Sequence, residues 1–145
     1  MPLPSVLIVD DSETDRYIMK RLLTKANITD VIFEAENGYK AIRFLENFSE
    51  NAEQYPECFP PQLVFLDINM HLMNGFEFLA DFANMREENP ELQSLVLMIF
   101  TSSNAESELN RISQFPFVKC AIKKMPDSAN DLKKVVKKFF PALDD

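Results

Sequence analysis

The chain has 145 residues, with 23 acidic and 15 basic side chains, a net charge of −8, one histidine and two glycines. This length suits one domain with a real core, and 46% hydrophobic with 26% charged residues is the composition of a globular rather than a disordered protein. Two glycines exclude dinucleotide-binding and P-loop motifs, one histidine excludes an all-histidine zinc site, and the acidic balance argues against nucleic acid as a direct ligand.

Short apolar runs alternate with amphipathic stretches along the whole chain. The apolar runs, rich in branched side chains, predict buried strands, and apolar residues at helical spacing predict the helices between them. In chain order the predicted elements are strand 6–9, helix 12–26, strand 31–33, helix 38–48, strand 63–66, helix 76–85, strand 95–100, helix 105–115, strand 117–122 and helix 128–140.

Three helices show a predicted inner face, and Ser12 can cap the first of them. The predicted inward residues are Ile18, Leu22 and Leu23 in the first helix, Ala41, Ile42, Leu45 and Phe48 in the second, and Leu132, Val135, Val136 and Phe139 in the last. The other side of the last helix carries four lysines at 133, 134, 137 and 138. We interpret them as a solvated face, with a phosphate-binding patch as the alternative.

Segment 47–62 is longer than the usual helix-to-strand connection of about 2–6 residues, and it contains three prolines. We expect the second helix to extend to about Gln54 and a proline-braced loop to follow. Structural padding is the first interpretation of this segment, and a partner-docking surface is the alternative.

The cysteines and the termini predict an intracellular protein. Cys58 and Cys120 form no CxxC motif, and we expect two reduced thiols. The N-terminus lacks the cationic region and cleavage site of a signal peptide. The longest apolar run, 95–100, is far shorter than the ~20 residues that span a bilayer. We therefore expect a cytoplasmic location.

Five strand–helix units in alternation imply a parallel sheet with helices on both faces. Ligands of such sheets bind beyond the carboxyl ends of the strands. The polar residues found there are Asp10 and Asp11 after the first strand, Asp67 after the third, Thr101, Ser102 and Ser103 after the fourth, and Lys123 and Lys124 near the end of the fifth.

These strand-end residues together predict phosphoryl chemistry, although each alone is more often a helix cap or turn former. If the first and third strands are neighbours, three carboxylates converge, and their repulsion calls for a hard divalent cation such as Mg²⁺. Thr101 adds a hydroxyl and Lys124 an ammonium, which are groups that bind phosphoryl oxygens. An aspartate can itself be the nucleophile and form an acyl phosphate.

The sequence resembles a response-regulator receiver domain of two-component signalling over nearly its whole length. The motifs that carry the resemblance are residues 6–12, residues 66–70 with Met73, Asn74 and Gly75, residues 101–103, and Lys124. The resemblance implies a flavodoxin-like, doubly wound α/β fold with a five-stranded parallel sheet of order 2-1-3-4-5 and five helices. It also implies that residues 1–145 form a single, stand-alone receiver that resembles CheY.

The resemblance assigns roles to the acidic residues. Asp67 would accept a phosphoryl group from a sensor histidine kinase or a histidine phosphotransfer protein. Asp11, Asp67 and the backbone carbonyl of Asn69 would bind Mg²⁺, and Asp10 would contact the metal mostly through water.

Thr101 and Lys124 would bind the phosphoryl oxygens and draw the loops into the active arrangement. The chain would be a signalling domain whose only chemistry is self-phosphorylation and slow dephosphorylation, and it would act through an unidentified downstream protein. The segment from Thr101 through the last helix is the expected face for such a partner or for a homodimer contact.

Two positions near the end of the fifth predicted strand depart from the family pattern, and His71 stands where receivers often have a proline. Met125 follows Lys124 where receivers usually have a proline after a cis bond, and we predict a trans Lys124–Met125 bond because a cis bond there costs ~3–4 kcal/mol. Ala121 occupies the position of the usual aromatic switch residue, so the switch cannot be read out through a ring there.

Two other functions can be weighed. A Mg²⁺-dependent phosphohydrolase would need an acid two residues after the nucleophile, but Asn69 stands there and cannot transfer the proton. A pseudo-receiver that binds proteins without a phosphoryl switch remains the alternative, because of Ala121 and Met125. His71 lies in a loop, and we expect a surface residue near the site rather than a phosphate carrier.

Overall fold

The computed structural model describes residues 2–70, 72–101, 106–123 and 128–143, apart from the side chains of 48, 101, 106, 107, 122 and 123. Within these ranges the chain forms five strands and six α-helices. They are β1 (Val6–Val9), α1 (Glu13–Lys25), β2 (Ile32–Ala35), α2 (Gly38–Glu46), α3 (Phe48–Gln54), β3 (Leu63–Asp67), α4 (Gly75–Glu88), β4 (Val96–Thr101), α5 (Glu106–Ile112), β5 (Val118–Lys123) and α6 (Ala129–Lys137). A short 3-10 helix, Pro90–Ser94, precedes β4.

The five strands form one parallel sheet with the order β2-β1-β3-β4-β5. The predicted flavodoxin-like α/β fold and the strand order 2-1-3-4-5 are therefore confirmed. β1 lies between β2 and β3, and Val9 pairs with Ala35 on one side and Leu66 on the other. The ends of β1 and β3 consequently lie side by side at the carboxyl edge of the sheet.

The hydrophobic core has two layers because successive strand residues point to opposite faces of the sheet. One layer packs against α2 and α4, and the other packs against α1 and α6. The strand residues of the first layer include Leu7, Val9, Val64, Leu66, Leu97 and Ile99. Those of the second include Val6, Ile8, Leu63, Phe65, Met98 and Phe100. With both faces covered, every residue of β1 and β3 is buried.

Helix α1 begins after the predicted cap, Ser12, whose side chain accepts a hydrogen bond from the Asp15 amide. Its inner face is rotated from the prediction. Met19 and Leu23 are buried, whereas Ile18 is 38% exposed and Leu22 is half-buried. Spacing alone fixes the period of the helix, while packing against the sheet chooses which stripe turns inward.

The prediction of one long second helix is wrong, and the predicted total of five helices becomes six. Helix α2 ends at Glu46, because Asn47 leaves the helical region with φ −78° and ψ 50°. A new short helix, α3, follows directly, and Asn51 Nδ2 donates a hydrogen bond to the Phe44 carbonyl. Ala41, Ile42 and Leu45 are buried as predicted. The side chain of Phe48 lies outside the described part.

The long connection packs onto the edge of the sheet near β2. Tyr55 and Phe44 lie against Phe33 with ring centroids 5.0 Å and 4.9 Å away, and Phe59 lies 5.2 Å from Phe44. The Ser5 hydroxyl also donates a hydrogen bond to the Cys58 carbonyl. These contacts support structural padding, and they leave the docking alternative untested.

The remaining predicted strands and helices agree with the structure apart from shifted boundaries. β2 starts one residue and ends two residues later than predicted, and α6 ends at Lys137 rather than Phe140. Leu132 and Val136 are fully buried, while Val135 and Phe139 pack against the same core layer from the side. Both cysteines are free. In the described part of the chain, no helix combines the length and the apolar character needed to cross a bilayer.

Candidate functional site

Three aspartates meet at the carboxyl edge of the sheet. Asp10 and Asp11 follow β1, and Asp67 is the last residue of β3. One carboxylate oxygen from each residue lies within 4.8 Å of the others. Asp10 is 4% exposed and Asp67 is 3% exposed, whereas Asp11 is half-buried. The predicted convergence follows directly from the pairing of β1 with β3.

Hydrogen bonds from several directions hold the turn at Asp10. Its amide donates to the Ala35 carbonyl of β2 at 3.1 Å, and its Oδ1 accepts from the Ser12 amide at 2.9 Å. Arg16 Nη1 donates to its carbonyl oxygen at 2.6 Å. The turn from β1 into α1 is therefore built on Asp10, and it presents the amide end of α1 to the acidic group.

The loop after Asp67 starts in a similar way. The Asn69 amide donates to Asp67 Oδ1 at 3.1 Å, which fixes the rotation of that carboxylate. The Ile68 amide donates to the Phe100 carbonyl at 3.3 Å and prolongs the pairing of β3 with β4. Asn69 itself is exposed, at the mouth of the acidic cluster.

Both glycines of the chain lie where this loop is packed most closely. A Cβ on Gly75 would stand 2.7 Å from Ile68 Cα and 3.1 Å from the Asp67 carbonyl oxygen. A Cβ on Gly38, at the start of α2, would stand 2.7 Å from the Met73 carbonyl oxygen. Met73 adopts a φ of 57°, a conformation that few residues other than glycine favour. The loop that follows Asp67 thus packs closely between the start of α2 and the end of β3.

The aspartate cluster fits a hard divalent cation. All three donors are carboxylate oxygens, which Mg²⁺ and similar ions prefer over nitrogen or sulfur. Three such charges at this distance repel one another, and burial removes much of the water that would screen them. A cation offsets both effects, so the chemistry of the donor set agrees with the predicted metal site.

For several other predicted site residues, the structure describes the backbone without the side chain, or neither. Thr101 ends β4, and its backbone pairs with Lys123, but the side chains of both lie outside the described part. Ala121 is described, and it is exposed on β5. The predictions that fall outside the described residues concern His71, Ser102, Ser103, Lys124 and the Lys124–Met125 peptide bond.

A groove of about 430 Å³ opens beside the Asp67 loop. Asn69 and Asn74 line it from the loop, and Glu108 and Arg111 line it from α5. The guanidinium carbon of Arg111 lies 3.7 Å from the ring centroid of Phe76, the second residue of α4. This stacking ties α5 to the helix that begins just after the acidic site.

Arg16 and Glu34 are site-supporting residues that the sequence analysis missed. Arg16 Nε lies 3.1 Å from Glu34 Oε1, and Lys20 Nζ lies 3.1 Å from Glu34 Oε2. One signal could have pointed to Arg16, because a cation near the start of a helix is opposed by the helix dipole and calls for a specific partner. The identity of that partner depends on strand order, which the local sequence does not contain.

Comparison with known proteins gives a consistent result. The family model of the response regulator receiver domain matches residues 6–137. The response regulator Rcp1 of Synechocystis is 27% identical over 108 residues, which cover 74% of this chain and 68% of Rcp1. The nitrate/nitrite response regulator protein NarL of Escherichia coli is 30% identical over 105 residues, covering 72% of this chain but only 41% of NarL.

Solved structures show the same fold. The receiver domain of the histidine kinase CKI1 from Arabidopsis thaliana, in complex with Mg²⁺ and BeF3−, superimposes with a TM-score of 0.77 at 20% identity. The match covers 94% of this chain and 89% of that one. Together with the family match over residues 6–137, this establishes that the chain belongs to the response regulator receiver domain family.

Proposed function

We propose that this chain accepts a phosphoryl group on Asp67 in a Mg²⁺-dependent reaction and signals through phosphorylation-dependent protein binding. The observation that supports this most strongly is the acidic cluster, in which Asp10, Asp11 and Asp67 bring oxygens within 4.8 Å of one another. Asp67 stands at the end of a central strand, where ligands of parallel α/β sheets bind. Receiver domains are signalling domains rather than enzymes in the ordinary sense, and this one fits that role.

Asp67 would act as the nucleophile. One of its carboxylate oxygens forms a bond to phosphorus as the phosphorus–nitrogen bond of a phosphohistidine breaks, and the imidazole leaves with the bonding electrons. The product is an acyl phosphate on Asp67. The hydrogen bond from the Asn69 amide holds the carboxylate in a defined rotation, which reduces the entropy lost on reaching the reactive geometry.

Asp10, Asp11 and Asp67, with the backbone carbonyl of Asn69, would hold the Mg²⁺ ion. When bound, the ion supplies positive charge that offsets the repulsion between the carboxylates and an incoming phosphoryl group. The burial of Asp10 and Asp67 supports this role, since buried carboxylates meet a cation with little competition from water.

Thr101 and Lys124 would bind the phosphoryl oxygens. Thr101 ends β4, next to β3, so its backbone lies at the same edge of the sheet as Asp67. The role of Lys124 rests on the sequence pattern, and we keep it as a prediction together with the trans bond to Met125. Slow hydrolysis of the acyl phosphate would end the signal.

The partners belong to the proposal as well. The phosphodonor would be a sensor histidine kinase or a histidine phosphotransfer protein, and the segment from Thr101 through α6 would bind an unidentified downstream protein or a second copy. A single, stand-alone receiver over residues 1–145 and a cytoplasmic location both stay predictions. The matches cover 68% of Rcp1 and 41% of NarL. The activity of either whole protein is therefore not assigned to this chain.

One observation favours the pseudo-receiver as second candidate. Ala121 is exposed on β5 and offers a methyl group where an aromatic ring would be needed to follow the Thr101 hydroxyl. A chain with this substitution can bind partners through its fold without a phosphoryl switch. The two candidates differ in one measurable property, namely the formation of an acyl phosphate.

The test is incubation with Mg²⁺ and acetyl phosphate, followed by intact mass spectrometry. We expect one phosphoryl adduct on the wild type, no adduct on Asp67→Asn, and a normal adduct on Asp81→Asn, an exposed aspartate of α4 that serves as the matched control. No adduct on the wild type, with acetyl phosphate or phosphoramidate, would support the pseudo-receiver. An adduct that persists on Asp67→Asn would place the acceptor elsewhere.

A further inference from the structure

Arg16 is held in an unusual position for an arginine. It lies near the start of α1, where the helix dipole disfavours a positive charge, yet its side chain is only 13% exposed. Its guanidinium donates two hydrogen bonds in different directions. Nη1 reaches the Asp10 carbonyl at 2.6 Å, and Nε reaches Glu34 Oε1 at 3.1 Å.

Glu34 is itself anchored. It lies on β2, paired with Ile8 of β1, and its second carboxylate oxygen accepts a hydrogen bond from Lys20 Nζ at 3.1 Å. Lys20 lies one turn after Arg16 on α1. The three side chains therefore link α1 to β2 and end on the backbone of Asp10.

The Asp10 carbonyl belongs to the planar peptide unit that leads into Asp11. A hydrogen bond to that oxygen fixes the plane, and the plane sets the direction in which the Asp11 backbone continues. The amide and carboxylate of Asp10 are already fixed by Ala35 and Ser12. The bond from Arg16 acts on the step from Asp10 to Asp11.

We infer that Arg16 is a positioning residue of the cation site, because its guanidinium holds the Asp10–Asp11 peptide unit in the orientation that brings both carboxylates to Asp67. This inference rests on the metal site of the proposed function. Residues that orient metal ligands without touching the ion typically contribute ten- to a hundredfold to metal affinity.

A role as a simple counter-charge predicts the opposite result. Arg16, Lys20 and Glu34 together carry one net positive charge, which repels a divalent cation. Loss of that charge strengthens cation binding, whereas loss of the positioning hydrogen bond weakens it. The sign of the change in Mg²⁺ affinity therefore separates the two roles.

The experiment is a calorimetric titration of the full chain with Mg²⁺ in the absence of any phosphodonor. We expect Arg16→Met to raise the Mg²⁺ dissociation constant roughly tenfold, and Arg21→Met to leave it within about twofold. Arg21 is the matched control because it lies on the same helix, exposed, with its guanidinium carbon 5.9 Å from the Tyr17 ring centroid. Unchanged or tighter binding by Arg16→Met would overturn the inference.

Two further variants separate geometry from charge and from folding. Arg16→Lys keeps the charge but has no planar fork to bond two acceptors in fixed directions. We expect it to weaken Mg²⁺ binding nearly as much as Arg16→Met, and wild-type affinity in Arg16→Lys would contradict the role of the fork. If Arg16→Met does not fold, Glu34→Gln replaces it, since it loosens the guanidinium while leaving Arg16 in place. Its control is Glu36→Gln, which removes the same negative charge from a carboxylate that bonds to Lys40 instead. We expect Mg²⁺ binding by Glu34→Gln to be severalfold weaker than by Glu36→Gln, and equal dissociation constants would overturn the inference.

A kinetic readout excludes a merely structural role. With acetyl phosphate as donor, Arg16→Met should need about tenfold more Mg²⁺ for half-maximal phosphorylation, with a maximal rate close to that of the wild type. A lowered maximal rate with an unchanged Mg²⁺ requirement would contradict positioning. Absence of phosphorylation with normal Mg²⁺ binding would defeat the proposed function alone, whereas absence of Mg²⁺ binding by the wild type would defeat both.

Discussion

The two loops that bring the aspartates together differ in how much close packing adds to their hydrogen bonds. The turn after β1, residues 10–12, is held by hydrogen bonds to Asp10 from Ser12 and Arg16. The loop after β3, residues 68–74, also has hydrogen bonds, from the Asn69 amide to Asp67 Oδ1 and from the Gly75 amide to the Ile68 carbonyl. In addition, it packs so closely at Gly75 and Gly38 that no Cβ fits there without movement. Close packing therefore constrains the second loop beyond the hydrogen bonds that both loops have.

This difference indicates how each half of the site tolerates change. A hydrogen-bonded turn loses its geometry when a donor is removed, but it accepts changes in volume around it. A packed loop accepts changes of charge, but an added methyl group forces the backbone to shift. Mutations of matched size in the two loops should therefore separate cation binding from stability.

The largest expected effect is that of Gly75→Ala. The added Cβ would meet Ile68 Cα and Cδ1 at 2.7 Å, and backbone cannot yield as a flexible side chain can. We expect the free energy of unfolding to fall by about 3 kcal/mol, the upper end of the usual cost of overpacking, with phosphorylation reduced as Asp67 moves. Urea denaturation measures the first effect. A loss below about 0.5 kcal/mol would show that the loop is not held by packing.

The next effect concerns the cation. A ligand that binds only the folded state stabilises it by about 2.7 kcal/mol at a hundred times its dissociation constant. We expect Mg²⁺ at that excess to raise the melting temperature of the wild type, and to leave Asp11→Asn almost unchanged. Differential scanning calorimetry checks this, with Asp81→Asn as the control that keeps the shift. An equal shift in Asp11→Asn would remove Asp11 from the ligand set.

Removal of the helix cap in either loop should have a smaller effect on the free energy of unfolding. The side chains of Ser12 and Asn74 cap α1 and α4, and Asn74 forms a reciprocal capping box with Glu77. We expect Ser12→Ala and Asn74→Ala each to lower the free energy of unfolding by about 1 kcal/mol. Because the Ser12 amide remains bonded to Asp10, the Mg²⁺ affinity of Ser12→Ala should stay close to wild type. Loss of Mg²⁺ binding in Ser12→Ala would show that the Ser12 side chain, and not only its amide, is needed at the cation site.

The smallest effect lies outside both loops. Lys40 forms an ion pair with Glu36. Its hydrogen bond to the carboxylate and its positive charge hold the pKa of Glu36 below its ordinary value of 4.5. A lowered folded-state pKa contributes stability above the ordinary pKa and loses it as pH falls through the folded value. We expect Lys40→Met to return the pKa of Glu36 towards 4.5 in an NMR titration. Because the carboxylate is exposed, the effect on the melting temperature should be close to zero, and a large shift would be inconsistent with an exposed pair.

Much of the fold follows from local patterns in the sequence. The apolar runs mark all five strands, and Ser12 marks the start of α1. The spacing of apolar residues in α1 wrongly predicts Ile18 as inward, because the helix settles by packing against the whole core layer rather than by its own spacing. The helical pattern likewise does not predict the break at Asn47, because the break depends on the backbone conformation of one residue.

The sequence predicts those parts of the site that lie at the ends of strands. Asp10, Asp11 and Asp67 follow their strands directly, so the parallel sheet brings them together once β1 and β3 are neighbours. Arg16 could not be predicted from spacing, because its acceptor Glu34 belongs to another strand. The contact of Gly38 with Met73 likewise joins segments distant in sequence.

The most direct test of the central claim is a crystal structure of the chain with Mg²⁺ and beryllofluoride, which imitates an acyl phosphate. We predict beryllofluoride bound to the Asp67 carboxylate, and Mg²⁺ bound by Asp11, Asp67 and the Asn69 carbonyl, with Asp10 reaching the ion through water. A structure in which beryllofluoride is bound elsewhere than on Asp67, or in which the cation is held without Asp11, would contradict this account.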